Sequence, residues 1–288
     1  MFIVLPSTID YQPFTASKEC AMIRQPAVAG QFYTNDPKEL RAQLERMVTV
    51  ETFREKVLGV IAPHAGYMYS GAVAGRLYGS VEVPPTVIIL GPNHQGVGAR
   101  AAIYPAGKWL TPLGAVSINS RLSALIKKHA PLVEEETSAH HFEHSLEVQV
   151  PFLQFVRSDV TIVPLCLGFG DYASCKSLGS GIARAIREYG EEVLIVASSD
   201  MTHYESAVMA KEKDEHAINE ILALNPEGLL RVCREKDITM CGVIPATVML
   251  VAVNELGATQ AKLVRYATSG DVTGDNRQVV AYAAFTVA

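Results

Sequence analysis

The stretch VLGVIAPHAGYMYSG, residues 57–71, decides the fold. It begins with an apolar run rich in β-branched residues, which is typical of a strand buried on both faces of a sheet. The run stops at Pro63, which cannot donate to a sheet ladder. His64 follows at once, and the small residues from Ser70 onward predict a helix. The imidazole of His64 is therefore expected just beyond the carboxyl end of a buried strand, where ligands bind in open α/β sheets.

Two further apolar runs end in the same way. Residues 86–90 are followed by His94, and residues 193–197 are followed by Asp200 and His203. Parallel strands bring their carboxyl ends to one edge of a sheet, so the three strand-end histidines are expected to lie near one another. A single histidine after a strand is more often a loop or core residue, but three on one edge favour a functional site.

Strand-like and helix-like segments alternate along the chain. This pattern predicts an α/β fold in a single domain, with a mostly parallel central sheet and helices on both faces. Residues 22–288 form the predicted domain. Residues 1–21 are expected to be an N-terminal extension or arm, because their apolar run is too short for a signal peptide and no basic residues precede it. Residues 109–114 are expected to form a turn, and residues 269–275 a polar loop.

Composition argues against several classes of function. The chain has 288 residues, of which 49% are hydrophobic and 19% are charged, as in ordinary globular proteins. Its net charge of −5, with no cluster of Lys and Arg, argues against binding to nucleic acid or to an anionic membrane surface. No apolar stretch reaches the ~18 residues of a transmembrane helix. Five cysteines without a CxxC pair suit a reducing compartment, so we expect a cytoplasmic protein.

His64 and His94 could bind a metal ion together with a third residue. Imidazole suits iron, copper, zinc and nickel, and a thiolate shifts the preference toward softer ions. Cys241 is the notable thiol, because it lies at a predicted helix start, where the macrodipole is expected to lower the pKa of a thiol. The alternative, which composition alone favours, is that Cys241 is a small buried hydrophobic residue. The other cysteines lack polar neighbours and are assigned to that alternative; they are Cys20, Cys166, Cys175 and Cys233.

A second group of histidines, His140, His141 and His144, alternates with Glu143 and Glu147. At helical spacing His140 and His144 share a face, as do the two glutamates. A carboxylate–histidine pair can act as an acid/base unit, or it can orient a metal ligand. We expect His140 and His141 to belong to a polar helix start. For His144 the structural and functional alternatives are balanced.

Asp200 and His203 lie three residues apart after a predicted strand. They could form a catalytic base and the residue that orients it, or an Asx turn followed by a surface histidine. Their expected position on the same sheet edge as His64 and His94 favours the functional alternative.

Five motifs together resemble the Memo family, whose prokaryotic members are called AmmeMemoRadiSam system protein B. In chain order they are IAPHAGY at 61–67, LGPNH at 90–94, EHSLE at 143–147, SSDMTH at 198–203 and CGVIP at 241–245. The resemblance extends from about Met22 to the C-terminus. It implies a fold similar to that of class III extradiol dioxygenases, whose non-haem Fe(II) is held by two histidines and one glutamate.

The resemblance also implies a set of metal ligands. His64 and His94 match the two histidine ligands, and Cys241 matches the family cysteine that stands where the dioxygenases have the glutamate. A thiolate in place of a carboxylate changes the charge and redox behaviour of the metal and invites copper as well as iron. The expected cofactor is therefore iron(II) or copper, with zinc also compatible. Because of this departure, the similarity in fold does not establish ring-cleaving activity.

Three further residues are matched to catalytic roles. His203 matches the histidine that the dioxygenases use as an acid/base, and His144 and Asp200 match further pocket residues. Family members are linked to iron or copper and to redox effects, and eukaryotic ones to phosphotyrosine peptides. The prokaryotic name suggests a radical-SAM system partner, and the ligand is expected to be a small molecule or a peptide.

Three functions are therefore open at this point. The first is a metal-binding, redox-related protein with a dioxygenase-like site at His64, His94 and Cys241. The second is a non-catalytic module that uses the same cleft for a peptide or for metal handling. The third is a zinc hydrolase in which His203 acts as general base on a metal-bound water.

Overall fold

The fold is known from a computed structural model that describes residues 22–288; the expected N-terminal arm lies outside the described residues. The strands are β1 (Ile23–Arg24), β2 (Gly59–Ala62), β3 (Thr86–Pro92), β4 (Ala101–Ile103), β5 (Lys108–Thr111), β6 (Gly114–Ile118), β7 (Glu134–Glu135), β8 (Thr161–Leu167), β9 (Val193–Ser198), β10 (His203–Glu205), β11 (Ala261–Thr268) and β12 (Val279–Val287). The helices are α1 (Pro37–Met47), α2 (Tyr67–Ser80), α3 (Ser120–His129), α4 (Ser138–His141), α5 (Val150–Val156), α6 (Tyr172–Tyr189), α7 (Ala207–Leu222), α8 (Pro226–Glu235), α9 (Val243–Leu256) and α10 (Gly270–Thr273).

The centre of the sheet is parallel. Strands β6, β8, β3, β9 and β2 lie side by side in that order, and every neighbouring pair among them runs in the same direction. Strand β12 pairs antiparallel with β2, with β10 and with β11, while β5 pairs antiparallel with β6 at the other side. The prediction of a single α/β unit with a mostly parallel central sheet is confirmed.

The central strands bury both of their faces. In β3, Ile88 and Leu90 pack into one core with helices α3, α6 and α9, whereas Val87 and Ile89 pack into the opposite core with α1, α2 and α5. Successive side chains of a strand point to opposite faces, so a strand covered by helices on both sides needs a continuous apolar run. This is the physical reason that the apolar runs ending near His64 and His94 predicted buried strands correctly.

Helix ends follow the capping rules that the sequence suggests. The side chain of Asp36 accepts hydrogen bonds from the backbone N–H groups of Lys38 and Glu39, both at 2.8 Å, and Pro37 occupies the first helical position of α1. Helix α9 ends at Gly257, whose φ of 101° is in the left-handed region that glycine tolerates.

Two segments differ from the sequence-based expectation. Residues 109–114 were expected to form a turn, but they contribute to the β5–β6 hairpin, and only Pro112 and Leu113 connect the strands. Trp109 is buried beneath the guanidinium of Arg24, 4.3 Å from its ring centre, so a tertiary contact supports strand β5. The loop over residues 269–275 contains the short helix α10.

A buried ion pair ties the start of the described chain to the segment before α5. Arg24 Nη1 and Glu147 Oε2 are 2.6 Å apart, and the two side chains are 2% and 1% exposed. Glu147 also accepts hydrogen bonds from the backbone of Ala27 and Val28 and from the hydroxyl of Tyr33. A buried charge is tolerated when its hydrogen bonds are satisfied in this way.

We expect Glu147→Ala to destabilise the protein by about 3–5 kcal/mol, because it leaves the guanidinium of Arg24 buried without its partner. The matched control is Glu192→Ala, which removes an ion pair with Lys56 whose two side chains are each 68% exposed. Exposed pairs contribute about 0–1 kcal/mol. Urea denaturation measures both; equal losses in the two variants would contradict the assignment of Glu147 as a structural residue.

Candidate metal site

The functional side chains gather in a cleft of about 850 Å³ at the carboxyl edge of the central strands. His64 lies two residues after β2, His94 two residues after β3 and Asp200 two residues after β9. Cys241 enters from the segment just before α9, and His203 from the start of β10. All five residues line the cleft, together with His144. The six residues singled out from the sequence therefore share one cavity.

Three of these residues form a compact group. His64, His94 and His144 each offer one ring nitrogen, and these three atoms all lie within 4.8 Å of one another. Their ring centres are 5.3 Å apart for His64 and His94, 5.4 Å for His64 and His144, and 4.6 Å for His94 and His144. Across residues 22–288, no other set of three or more His, Cys, Asp or Glu side chains meets this criterion for holding a metal ion.

Glu143 orients two of the three imidazoles. Its Oε1 lies 2.9 Å from Nδ1 of His94 and 3.4 Å from Nδ1 of His144, and its Oε2 accepts from the backbone N–H of His94 at 2.7 Å. Burial alone would raise the pKa of Glu143, but the contacts with His94, Ser145 and His144 hold it at about 2. The carboxylate is therefore ionised and favours a proton on Nδ1 of each ring, which leaves Nε2 as the atom with a free lone pair.

His64 is oriented by a separate buried network. Its Nδ1 lies 3.0 Å from Oγ of Ser198, which donates its own proton to the backbone oxygen of Ser145 at 2.6 Å and accepts from Nε2 of Gln149 at 2.8 Å. Because the hydroxyl proton of Ser198 is already used, Nδ1 of His64 must be the donor in this pair. Nε2 of His64 is again the unprotonated atom.

The donor set fits a transition-metal ion. Burial, reinforced by the neighbouring His144 and His94, lowers the pKa of His64 well below its usual value, and burial also lowers the pKa of His144. Metal binding requires neutral imidazole, so these shifts favour ligation. Three neutral imidazoles suit zinc, copper, iron or nickel, and they leave coordination positions for further ligands.

Cys241 lies beside this group and contacts His64. Its Sγ is 3.1 Å from Nε2 of His64 and accepts a hydrogen bond from the backbone N–H of Asp200 at 3.3 Å. The expectation that a helix start would lower the pKa of this thiol is wrong: burial, together with the carboxylate of Asp200, raises it above its usual range. Desolvation outweighs the macrodipole here. Cys241 precedes the N-cap Gly242, so it lies outside the helix itself.

Asp200 and His203 do not form the expected pair of base and orienting residue. Asp200 is buried and accepts from the backbone N–H of His64 at 2.8 Å, and burial raises its pKa to about 6. His203 is held by Thr239, whose Oγ1 accepts from the backbone N–H at 2.7 Å and whose carbonyl oxygen lies 3.0 Å from Nδ1. A carbonyl oxygen can only accept a hydrogen bond, so Nδ1 of His203 carries the proton in this contact. Nε2 is then unprotonated and can take up a proton in the cleft.

The chain leaves α4 at Phe142, so His140 and His144 do not share a helical face as expected. His140 is fully buried with Nε2 donating to the carbonyl of Ala102, rather than part of a polar helix start. His144 lies in the loop that follows, where it can turn toward the cleft. The spacing suggested one continuous helix, but the structure interrupts it before His144.

Sequence reasoning missed several residues of the site. Ser198 and Gln149 are 49 residues apart and act only through tertiary contacts, so no local pattern identifies them. Tyr204 has a φ of 60° at a bulge in the pairing of β10 with β12. The left-handed conformation costs a non-glycine residue about 1–2 kcal/mol. Tyr204 lines the cleft and is 74% exposed, so burial of its side chain does not compensate for this backbone conformation.

Comparison with known proteins identifies the family of this chain. The family model described as Memo-like protein matches residues 24–286. A MEMO1 family protein of Methanopyrus kandleri is 40% identical over 277 residues, covering 91% of this chain and 98% of that protein. A MEMO1 family protein of Aquifex aeolicus is 43% identical over 263 residues, covering 90% and 97%. The chain belongs to the Memo family.

Among solved structures, an uncharacterized protein from Escherichia coli K12 is similar with a TM-score of 0.48 and 14% identity, covering 79% of this chain and 98% of that one. This distant similarity does not bear on function. Within residues 22–288, no helix is long and apolar enough to cross a membrane.

We expect Glu143→Gln to weaken metal binding by about 10- to 100-fold, because the amide no longer holds both Nδ1 protons of His94 and His144 as an ionised carboxylate does. Isothermal titration with Zn(II) measures the affinity. Glu192→Gln, an exposed site far along the chain, is the control and should bind as the wild type does. An unchanged affinity in Glu143→Gln would show that the carboxylate does not orient the ligands.

Proposed function

We propose that this protein binds a single metal ion at His64, His94 and His144 and uses it in redox chemistry on a molecule held in the adjoining cleft. One observation carries the proposal: the Nδ1 atom of each ring contacts a protein oxygen, from Glu143 or Ser198, so the Nε2 atoms are left to bind the ion. Histidine ligands are commonly oriented by such hydrogen bonds to their second nitrogen.

The proposed metal is iron(II) or copper. Cys241 lies next to His64, and a sulfur ligand there would favour soft and redox-active ions over zinc. When bound, iron or copper would supply one-electron chemistry. In a variant of this proposal, the ligands are His64, His94 and Cys241, as the sequence led us to expect.

Two residues of the cleft are proposed to move protons. Nε2 of His203 is free because Thr239 engages Nδ1, so His203 can accept a proton from a bound molecule. Asp200 has a pKa raised to about 6 by burial, and its Oδ1 holds the backbone of His64 in place. His144, first considered as a catalytic residue, is assigned here to the metal.

A zinc hydrolase is the second candidate, and the donor set itself favours it. Three histidines with an open position are a ligand set of catalytic zinc sites. In that case His203 would act as general base toward a water molecule. A non-catalytic role in peptide binding or metal handling would use the same cleft, and the feature that supports it is the cleft volume of about 850 Å³.

The ligand is proposed to be a small molecule or a peptide, and a radical-SAM protein is proposed as a partner from the family resemblance alone. A cytoplasmic location is proposed because the described cysteines, Cys166, Cys175, Cys233 and Cys241, are all free thiols. Free thiols suit a reducing compartment.

We expect His64→Ala, His94→Ala and His144→Ala each to lose stoichiometric metal after anaerobic loading with Fe(II), Cu(I) or Zn(II), because each variant removes one of three ligands. Elemental analysis gives the metal content. His129→Ala is the matched control, since His129 pairs with Glu188 at the surface and should leave metal content unchanged. Stoichiometric metal in all three cleft variants would refute the proposed site.

The Cys241→Ser variant distinguishes a site formed by His64, His94 and His144 from one in which Cys241 is a ligand. With a three-histidine site, the variant should keep stoichiometric zinc and lose copper affinity, because only the soft neighbour is removed. Loss of every metal would instead assign Cys241 as an essential ligand. Oxygen uptake that needs iron or copper supports the redox proposal, and hydrolysis with zinc that is indifferent to oxygen supports the second candidate.

A further inference from the structure

We propose that two adjacent residues of helix α7, Lys213 and Asp214, are positioning residues that fix the orientation of the His203 imidazole in the cleft. The inference rests on the proposed function in one respect, the role of His203 as a proton acceptor, and it goes beyond that function by naming what holds this side chain. Three observations lead to it: the contacts of Asp214, the contacts of Lys213 and the strained backbone beside them.

Asp214 is a fully buried carboxylate that is tied to the residue before His203. Its Oδ1 accepts hydrogen bonds from the backbone N–H of Thr202 at 3.1 Å and from the hydroxyl of the same residue at 2.7 Å. Its Oδ2 accepts from the hydroxyl of Tyr266 at 2.8 Å. A buried carboxylate is costly unless its hydrogen bonds are made, so a displacement of Thr202 would leave buried polar groups without partners.

Lys213 joins the two chain segments that meet at His203. Its Nζ forms an ion pair with Glu205 and donates to the carbonyl oxygen of Asp237 at 3.2 Å. Glu205 lies two residues after His203. Asp237 lies two residues before Thr239, which contacts both the backbone N–H and Nδ1 of His203. Lys213 therefore connects the segment that carries the imidazole to the segment that supplies its hydrogen-bond acceptor.

The backbone beside these contacts adopts conformations that need support from the rest of the protein. Tyr204 has a φ of 60° and Asp237 a φ of 50°, both in the left-handed region that is unfavourable for residues other than glycine. Tyr204 lies between the two residues that Asp214 and Lys213 contact, and the carbonyl oxygen of Asp237 is a direct partner of the lysine. Strained conformations persist where the surrounding structure fixes them, and α7 provides that fixation here.

The sheet alone does not fix His203. Strand β12 holds the preceding residues, because the backbone N–H of Met201 donates to the carbonyl oxygen of Ala281 at 2.8 Å, and the N–H of Ala281 donates to the carbonyl oxygen of Thr202 at 2.9 Å. Between His203 and Glu205 the pairing of β10 with β12 shifts at a bulge. A bulge disrupts the ladder locally, so side-chain contacts from α7 are needed to hold the segment beyond it.

The test determines the tautomer of His203 by long-range ¹H–¹⁵N NMR of the full-length, metal-free protein at about pH 8.5, above the ordinary imidazole pKa of about 6.5. The wild type should carry the proton on Nδ1, because the carbonyl oxygen of Thr239 accepts it. Asp214→Ala and Lys213→Ala should each lose this single state and show a mixture of the two tautomers, because the imidazole no longer has a fixed acceptor.

Conservative variants separate hydrogen bonding from the identity of the side chain. Asp214→Asn keeps an oxygen that accepts from Thr202 and gains an amide that can donate to the hydroxyl of Tyr266. Lys213→Arg keeps the positive charge and the N–H donors. Both variants should retain the proton on Nδ1 of His203.

Two controls on the same helix separate positioning from stability. Ile221→Ala removes a fully buried apolar side chain, so it should lower the melting temperature and leave the tautomer of His203 unchanged. Lys211→Ala removes an exposed lysine and should change neither. If Asp214→Ala does not fold, Lys213→Ala decides the test, because Lys213 is 23% exposed and its replacement buries no unpaired carboxylate.

Four outcomes overturn the inference: a proton on Nε2 of His203 in the wild type, an unchanged tautomer in Lys213→Ala or in folded Asp214→Ala, loss of the tautomer in both conservative variants, or its loss in Ile221→Ala. Metal content of the wild type after loading tests the proposed function separately, because the tautomer is measured without metal. The expected tautomers with no metal uptake would overturn only the metal site. Normal metal uptake with a tautomer that does not respond to the α7 variants would overturn only the positioning role.

Discussion

The alignment of three parallel strands is the constraint on which the site depends. Ala62 of β2 pairs in register with Ser198 of β9, and Leu90 of β3 pairs with Ala197 of the same strand. The strands therefore end at nearly the same level, and the residues that follow them converge. His64, His94 and Asp200 each lie two positions beyond a strand end, so hydrogen bonding within the sheet fixes the spacing of their backbones.

Buried polar groups orient the three imidazole rings. Glu143, Ser198 and Gln149 are fully buried, and each has hydrogen-bond partners within the protein. A buried polar group without partners is costly, so such a network persists only when it is satisfied throughout. These contacts engage Nδ1 of each imidazole and leave Nε2 available, so residues from three separate loops can bind one metal ion together.

The sequence predicted the strands that carry this site better than it predicted the surroundings of the individual side chains. Apolar runs that end near a histidine correctly indicated buried strands, because the side-chain period of a strand is a local property of the sequence. They also indicated that the histidines lie at one edge of the sheet, because parallel strands end at the same edge. Two predictions were wrong: that His140 and His144 share a helical face, and that the pKa of Cys241 is lowered. Both depend on tertiary surroundings: the helix ends at Phe142, and desolvation dominates at the thiol. The contact between His64 and Ser198 joins residues 134 positions apart, which no local pattern reveals.

The protonation of the three imidazoles in the metal-free protein tests the central claim most directly. Long-range ¹H–¹⁵N NMR of ¹⁵N-histidine-labelled protein at neutral pH distinguishes the two tautomers of each ring. The account predicts that His64, His94 and His144 each carry the proton on Nδ1, and that their Nε2 resonances shift when Zn(II) is added. A proton on Nε2 of any of the three rings, or Nε2 resonances that do not respond to the metal, would contradict it.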